Sequence, residues 1–240
     1  MSLWFVVSLL KKRNDVADMA WGLGFVLMTW VSFFLSDDSG VRGMLVDILV
    51  TVWGLRLAWH IHARTKGKTE DYRYLSWRKE WGKWFYIRSY FQVYLLQGIL
   101  LFLIVLPVIM INKNAGSALG LFDLVGVIAW LIGFYFEAVG DAQLARFIKN
   151  PENKGRLMQN GLWAHTRHPN YFGEVMQWWG IWLIALSVSG GWLGIIGPIT
   201  ITFLILKVSG IPMLEKKMEE NPDFAEYKRK TSIFIPLPRK

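Results

Sequence analysis

The sequence holds no cysteine. That excludes disulfides, a thiol nucleophile and thiolate metal ligation; it says little about redox compartment, because a bundle of membrane helices needs no cross-links. Charge is missing from long stretches: residues 19–35, 90–111 and 175–206 contain no Asp, Glu, Lys or Arg. No Gly-x-Gly-x-x-Gly follows a strand pattern, and no Gly-x-x-x-x-Gly-Lys-Ser/Thr loop occurs, so soluble-type dinucleotide and Walker sites are not supported. No serine sits in a nucleophile elbow. Internal repeats, low-complexity tracts and inter-domain linkers are also absent, which leaves residues 1–240 as one domain.

What is present is apolar. Hydrophobic residues make up 53% of the chain and 14 residues are Trp, so a soluble domain is the poorer reading. The first two uncharged stretches each approach the roughly 20 residues that cross a bilayer. The third suits two spans if Ser189-Gly190-Gly191 makes the turn. Two less pure spans are 44–62, with Asp47 and Arg56 inside, and 119–140, with Asp123 and Glu137. Residues 3–10 are apolar but too short for a full span, and fit a truncated, tilted or interfacial helix. A signal peptide is not expected there, because Lys11-Lys12-Arg13 follows the apolar part instead of preceding it. The expected fold is all-α: a polytopic membrane helix bundle of six to seven transmembrane helices with cytoplasmic interfacial helices.

The net charge of +9 is first a topology signal. Basic residues crowd into 11–13, 64–88, 146–167 and 207–240, whereas alternate loops hold almost none. By the positive-inside rule the basic loops and the C-terminus are cytoplasmic, and six spans after the N-terminal piece satisfy that alternation. The expected partners of these loops are anionic membrane lipids, not nucleic acid. The loop at 63–89 mixes charge with Tyr72, Tyr74, Trp77, Trp81, Trp84, Phe85 and Tyr86, a composition suited to a helix lying at the interface.

Chemistry concentrates at Arg167-His168-Pro169-Asn170-Tyr171-Phe172-Gly173-Glu174, where polar groups crowd the mouth of an apolar run. Pro169 is favoured at the first position of a helix, so the spacing predicts a helix beginning near His168. Its N-terminal N–H groups and positive dipole end suit a phosphate or carboxylate. Asn170 and Glu174 are four apart and share a face, and Arg167 and His168 could add cationic contacts. The bland alternative is a cap with a snorkelling Arg and an interfacial Tyr171. Arg56, His60 and Arg64 form a second stripe at four-residue spacing, with His62 on the opposite side. His60 divides evenly between a structural and a site role, and Arg64 could simply snorkel to the interface. Glu137 and Asp141 form a third group, able to hold hydroxyls or to pair with Arg56 or Arg64. A metal is not expected, because the i, i+2 spacing of His60 and His62 diverges on a helix.

Gly161-Leu162-Trp163 and Thr166 through Glu174 resemble the C-terminal signature of steroid 5-alpha-reductase-like membrane proteins, in particular their bacterial DUF1295 branch. The likeness extends over DMAWGLGF (18–25), Trp53-Gly54-Leu55-Arg56-Leu57, GKTEDYRY (67–74), FEAVGDAQLARF (136–147), SGIPMLEK (209–216) and the segment from Glu226-Tyr227 to Pro236. It implies a bacterial inner-membrane enzyme that uses NADPH to reduce a carbon–carbon double bond in a lipophilic, steroid-, isoprenoid- or lipid-like substrate. The cofactor would lie in the half at about 119–240. By the same likeness Asn170 and Glu174 bind NADPH, Asp141 is a further contact, and Arg64, Arg167, His168, Tyr171 and Tyr227 help. Lys149 and Arg73 are candidate phosphate partners on charge alone.

Such a reduction needs a donor to the enolate oxygen that develops as hydride arrives. The steroid reductases use a Tyr and a Glu; the matching helix here offers His60-Ile61-His62 and no tyrosine. His60 is the expected donor, with Tyr72 or His62 as alternatives. The alternatives for the chain as a whole are an S-adenosylmethionine-dependent methyltransferase of the isoprenylcysteine or phospholipid type, whose members carry a similar Arg-His-Pro-x-Tyr element, and a non-enzymatic lipid-binding protein.

Overall fold

The computed structural model describes residues 1–37, 40–114 and 118–239. Among them the regular structure is helical: α1 (Ser2–Lys11), α2 (Val16–Phe34), α3 (Gly40–Thr65), α4 (Tyr72–Trp81), α5 (Phe85–Ser89), α6 (Leu96–Lys113), α7 (Leu121–Lys149), α8 (Pro169–Ala185), α9 (Ile196–Phe203), α10 (Ile211–Met218) and α11 (Phe224–Lys230). Extended pairing appears as an isolated parallel bridge between Thr166 and Ser232. The chain divides into two compact units, Met1–Leu119 and Gly120–Lys240.

Among the described residues, five helical runs are long and apolar enough to cross a membrane: Val16–Phe34, Gly40–Thr65, Tyr72–Lys113, Leu121–Lys149 and Gly191–Met218. The protein is thus an integral membrane helix bundle. At 17 residues, α8 sits at the lower limit for a span. The uncharged stretch at 175–206 does divide in two: α8 ends at Ala185, Gly190 takes φ +72, and a 3₁₀ turn starts the next run at Gly191. The N-terminal helix has only 10 residues, about half a crossing.

Tyr72–Lys113 is 42 residues long. As one straight helix it would reach about 63 Å, roughly twice the hydrocarbon core. Gly82 stops it, with φ 48 and ψ −123, so α4 forms a separate segment. The chain then continues through α5 and a π-helical turn (Tyr90–Leu95) into α6. No side chain tolerates the Gly82 conformation comfortably, yet a Cβ there would meet nothing within 4 Å. Gly82→Ala should therefore cost about 1–3 kcal/mol through backbone strain. Gly54→Ala should cost more, because its Cβ would lie 2.7 Å from the Gly22 carbonyl oxygen of α2. Thermal unfolding in detergent, followed by Trp fluorescence, orders the two; a larger loss at Gly82 would contradict this account.

In the N-terminal unit, α2, α3 and α6 are tied by a fully buried amide. Asn112 Nδ2 donates to Ser32 Oγ at 2.7 Å, Thr29 O at 3.3 Å and Asp47 Oδ1 at 3.2 Å. The opposite ends are fastened by charge. Arg73 Nη2 meets Asp18 Oδ2 at 2.7 Å, Tyr74 OH donates to Asp18 Oδ1 at 2.9 Å, and Asn14 N–H donates to Glu70 Oε1 at 2.6 Å. Asp71 caps α4 by accepting from Arg73 N–H at 3.0 Å. Burial would raise the Asp71 carboxyl, but bonds from the Arg73 side chain and backbone outweigh it and hold the group below its ordinary value.

In the C-terminal unit α7 and α8 pack backbone to backbone. A Cβ on Gly126 would lie 2.5 Å from the Gly180 carbonyl oxygen, and one on Gly133 would lie 2.6 Å from that of Gly173. Gly126, Gly133 and Gly140 repeat every seventh residue on α7, matched by Gly173 and Gly180 on α8. Small residues at that interval let helices approach where lipid offers no hydrophobic drive. This close approach sets the site geometry.

Candidate functional site

The mouth of the C-terminal unit is where α7 ends and α8 begins. Pro169 is the first residue of α8, with His168 before it outside the helical region (φ −139, ψ 62). The ring of Pro169 lies against Gly140, where an added Cβ would come within 3.2 Å of Cγ. That contact brings the sequence-distant Asp141 and Asn170 together: Asn170 Nδ2 donates to Asp141 Oδ1 at 3.1 Å, and Asn170 Oδ1 accepts from Tyr171 N–H at 3.1 Å. Asp141 is buried, whereas Asn170, Tyr171 and Glu174 are half-buried. Glu174 stands one turn further into α8. Deeper still, Gln177 Nε2 donates to Glu137 Oε2 at 2.5 Å. Facing stripes (Glu137 and Asp141; Asn170, Glu174 and Gln177) therefore run inward from the mouth.

Arg167 and His168 lie directly before the helix but point into the protein. Their exposures are 3% and 1%, so neither is a surface cation. Arg167 Nε donates to Glu215 Oε1 at 2.7 Å, and Nη1 donates to the carbonyls of Thr231 at 2.6 Å and Lys228 at 3.2 Å. His168 Nε2 lies 3.2 Å from the same Glu215 oxygen. Arg167 N–H donates to Ser232 O at 2.8 Å, and Thr166 Oγ1 to Phe234 O at 2.8 Å. Tyr227 is buried and donates its hydroxyl to Trp163 O at 2.6 Å, while Trp163 Nε1 reaches Gly140 O at 3.0 Å. Burial pushes the Tyr227 phenol well above its ordinary value. Arg167, His168 and Tyr227 thus fasten the tail (α10, α11 and the strand-like segment after it) against the start of α8.

The remaining sequence candidates lie in the N-terminal unit. His60 is half-buried on α3; His62 and Arg64 are exposed near its end. Tyr72, the first residue of α4, is 50% exposed. Arg73, a phosphate partner on charge alone, is bound by Asp18 and Asp71. Lys149 is exposed in the last turn of α7, close in sequence to exposed Arg146. Among the described residues no group of three or more His, Asp or Glu could hold a metal ion.

Two partners escaped the sequence reading. Glu215, within the SGIPMLEK segment, is the carboxylate that compensates Arg167. Gln177, inside an uncharged run, is the partner of Glu137. The glycine heptads were a legible signal for the α7–α8 pairing that brings Gln177 to Glu137; nothing local to Glu215 identified its role.

The donor set at the mouth fits a dinucleotide. An amide and two carboxylates suit hydroxyl and carboxamide groups, and exposed Arg146 and Lys149 suit phosphates. An uncharacterised protein of Schizosaccharomyces pombe is 27% identical over 98% of this chain and 75% of its own length. The 3-oxo-5-alpha-steroid 4-dehydrogenase 1 of Rattus norvegicus is 25% identical over 48% of this chain and 41% of its own length. The Homo sapiens protein of that name is 34% identical over 28% of this chain and 26% of its own. The chain therefore spans less than half the length of the steroid dehydrogenases it matches. No solved structure matches. The family described as "Protein of unknown function (DUF1295)" matches residues 4–231, and the chain belongs to it.

Proposed function

We propose that this protein is a membrane-embedded reductase that uses NADPH to saturate a polarised carbon–carbon double bond in a lipophilic substrate. The Asp141–Asn170 pair carries the reading, with Glu174 one turn inward on the same face of α8. Similarity to the steroid dehydrogenases supports it. In this reading Asn170, Glu174 and Asp141 hold the nicotinamide and ribose portion, with Tyr171 beside them and Arg146 and Lys149 on the phosphates. Arg167, His168 and Tyr227 act one step back, by fixing the tail against the helix that carries Asn170. The bound nucleotide supplies hydride. The chain's own residues orient it, exclude water along the inward stripes, and provide the hydrogen bond that stabilises the developing enolate. The candidate donors His60, His62 and Tyr72 belong to the N-terminal unit, where His60 is half-buried and the other two are exposed.

Titration of the detergent-purified protein with NADPH and with S-adenosylmethionine tests this. NADPH should bind saturably, at least about tenfold more weakly in Asn170→Ala and Glu174→Ala, since each loses a polar contact of more than about 1.4 kcal/mol. Both variants should still unfold cooperatively, with Asn170→Ala losing about 1–3 kcal/mol through the bond it makes to buried Asp141. Binding of the methyl donor alone would transfer the site to methyl-transfer chemistry. Binding of neither would leave a lipid-binding protein and end the enzymatic reading.

A further inference from the structure

The bend between α4 and α6 carries cations that the protein itself leaves uncompensated. Five basic residues and one acid, Glu80, lie between Tyr72 and Ser89. Two of the five are neutralised internally: Arg73 by Asp18 and Asp71, and Arg78 by Glu70 at 3.1 Å. Lys79, Lys83 and Arg88 are exposed, and among the described residues none has a carboxylate within ion-pair distance. Two of the three lie near aromatic rings instead, Lys83 Nζ 5.7 Å from the Trp84 centroid and Arg88 Cζ 6.0 Å from that of Trp81.

The ground beneath them is firm. Trp77 and Trp81 stack at 5.2 Å with 8° between planes, Trp81 meets Phe85 at 6.0 Å, and the Arg78 guanidinium sits 4.1 Å above Phe85. Exposed apolar groups border the same bend: Trp84, Ile87 and Phe91 are 54%, 53% and 55% exposed. A soluble anion would satisfy the cations and leave those surfaces wet. An anion joined to hydrocarbon satisfies both at once, and the segment leads directly into a membrane span.

We propose that this bend, with Lys79, Lys83 and Arg88 around Gly82, is a binding surface for the headgroup of an anionic phospholipid. The reading is independent of the proposed reductase activity. Lipid phosphate engages the three cations, while the acyl chains lie along the apolar border toward α6.

Native mass spectrometry of the detergent-purified chain, with equimolar phosphatidylglycerol and phosphatidylcholine, provides the test. The parent should retain phosphatidylglycerol preferentially. Lys79→Ala/Lys83→Ala/Arg88→Ala should lower that preference by about tenfold or more. Lys79→Arg/Lys83→Arg/Arg88→Lys should preserve it. A control triple, Lys154→Ala/Lys216→Ala/Arg229→Ala, removes equal charge elsewhere and should also preserve it. Absence of preference in the parent, no loss in the bend variant, or equal loss in the control would each overturn the proposal. All substituted side chains are exposed, and unchanged unfolding temperatures in phosphatidylcholine confirm that the variants fold.

Discussion

Glu215→Ala is expected to destabilise the C-terminal unit by about 3–5 kcal/mol, the cost of stranding one member of a buried ion pair. The Arg167 side chain is 4% exposed and that of Glu215 10%, so water cannot compensate the charge left behind. The carbonyls of Lys228 and Thr231 would remain as acceptors, but they carry no formal charge. His168 would lose its contact with Glu215 as well. Thermal unfolding in detergent and limited proteolysis across 211–239 report the effect. The tail should be cleaved faster before the helices melt. The double substitution Arg167→Met/Glu215→Leu should recover much of the loss, because an apolar pair of similar volume avoids the desolvation penalty altogether. A Glu215→Ala protein that melts within about 1 kcal/mol of the parent, well below the range for a broken buried pair, would show that the carbonyls alone suffice.

The second large effect is expected at the α7–α8 contact. Gly133→Val places its Cβ 2.6 Å from the Gly173 carbonyl oxygen and 2.8 Å from Gln177 N, both backbone atoms. Neither can swing aside, so the helices must separate, at a cost of about 3 kcal/mol or more. Separation acts on both polar rungs at once, Glu137–Gln177 and Asp141–Asn170. Cofactor binding should therefore fall together with stability. Gly98→Ala is the matched control: its Cβ would meet Met1 Cγ at 3.4 Å, ordinary van der Waals contact, and helix propensity favours the change. If Gly133→Val melted like Gly98→Ala, the close approach would have no energetic weight.

The parts of this fold that were legible in the sequence are those written in composition or local steric rules. Uncharged runs marked the spans, Ser189-Gly190-Gly191 marked the turn, and Pro169 marked the start of α8. Partner choice was not legible. Glu137 and Asp141 presented two carboxylates at helical spacing, equally able to take a cation or a hydroxyl. Asp141 instead takes the amide of Asn170, 29 residues away, and Glu137 that of Gln177, 40 residues away. Arg167 looked like an anion ligand because the sequence placed it at a helix mouth. Its direction was decided by Glu215, 48 residues further along. Local spacing fixes which face a side chain occupies; which helix lies opposite that face is a tertiary outcome.

The parallel bridge between Thr166 and Ser232 bears on the order of synthesis. A chain emerging N-terminus first completes α7 and α8 well before Glu215, Thr231 and Ser232 have left the ribosome. Until then Arg167 has neither its counter-ion nor its carbonyl acceptors. The nascent C-terminal unit must therefore keep that guanidinium hydrated, at the membrane surface or on a chaperone. Closure of the mouth therefore follows synthesis of α7 and α8, and waits on Glu215, Thr231 and Ser232 in a segment outside both helices.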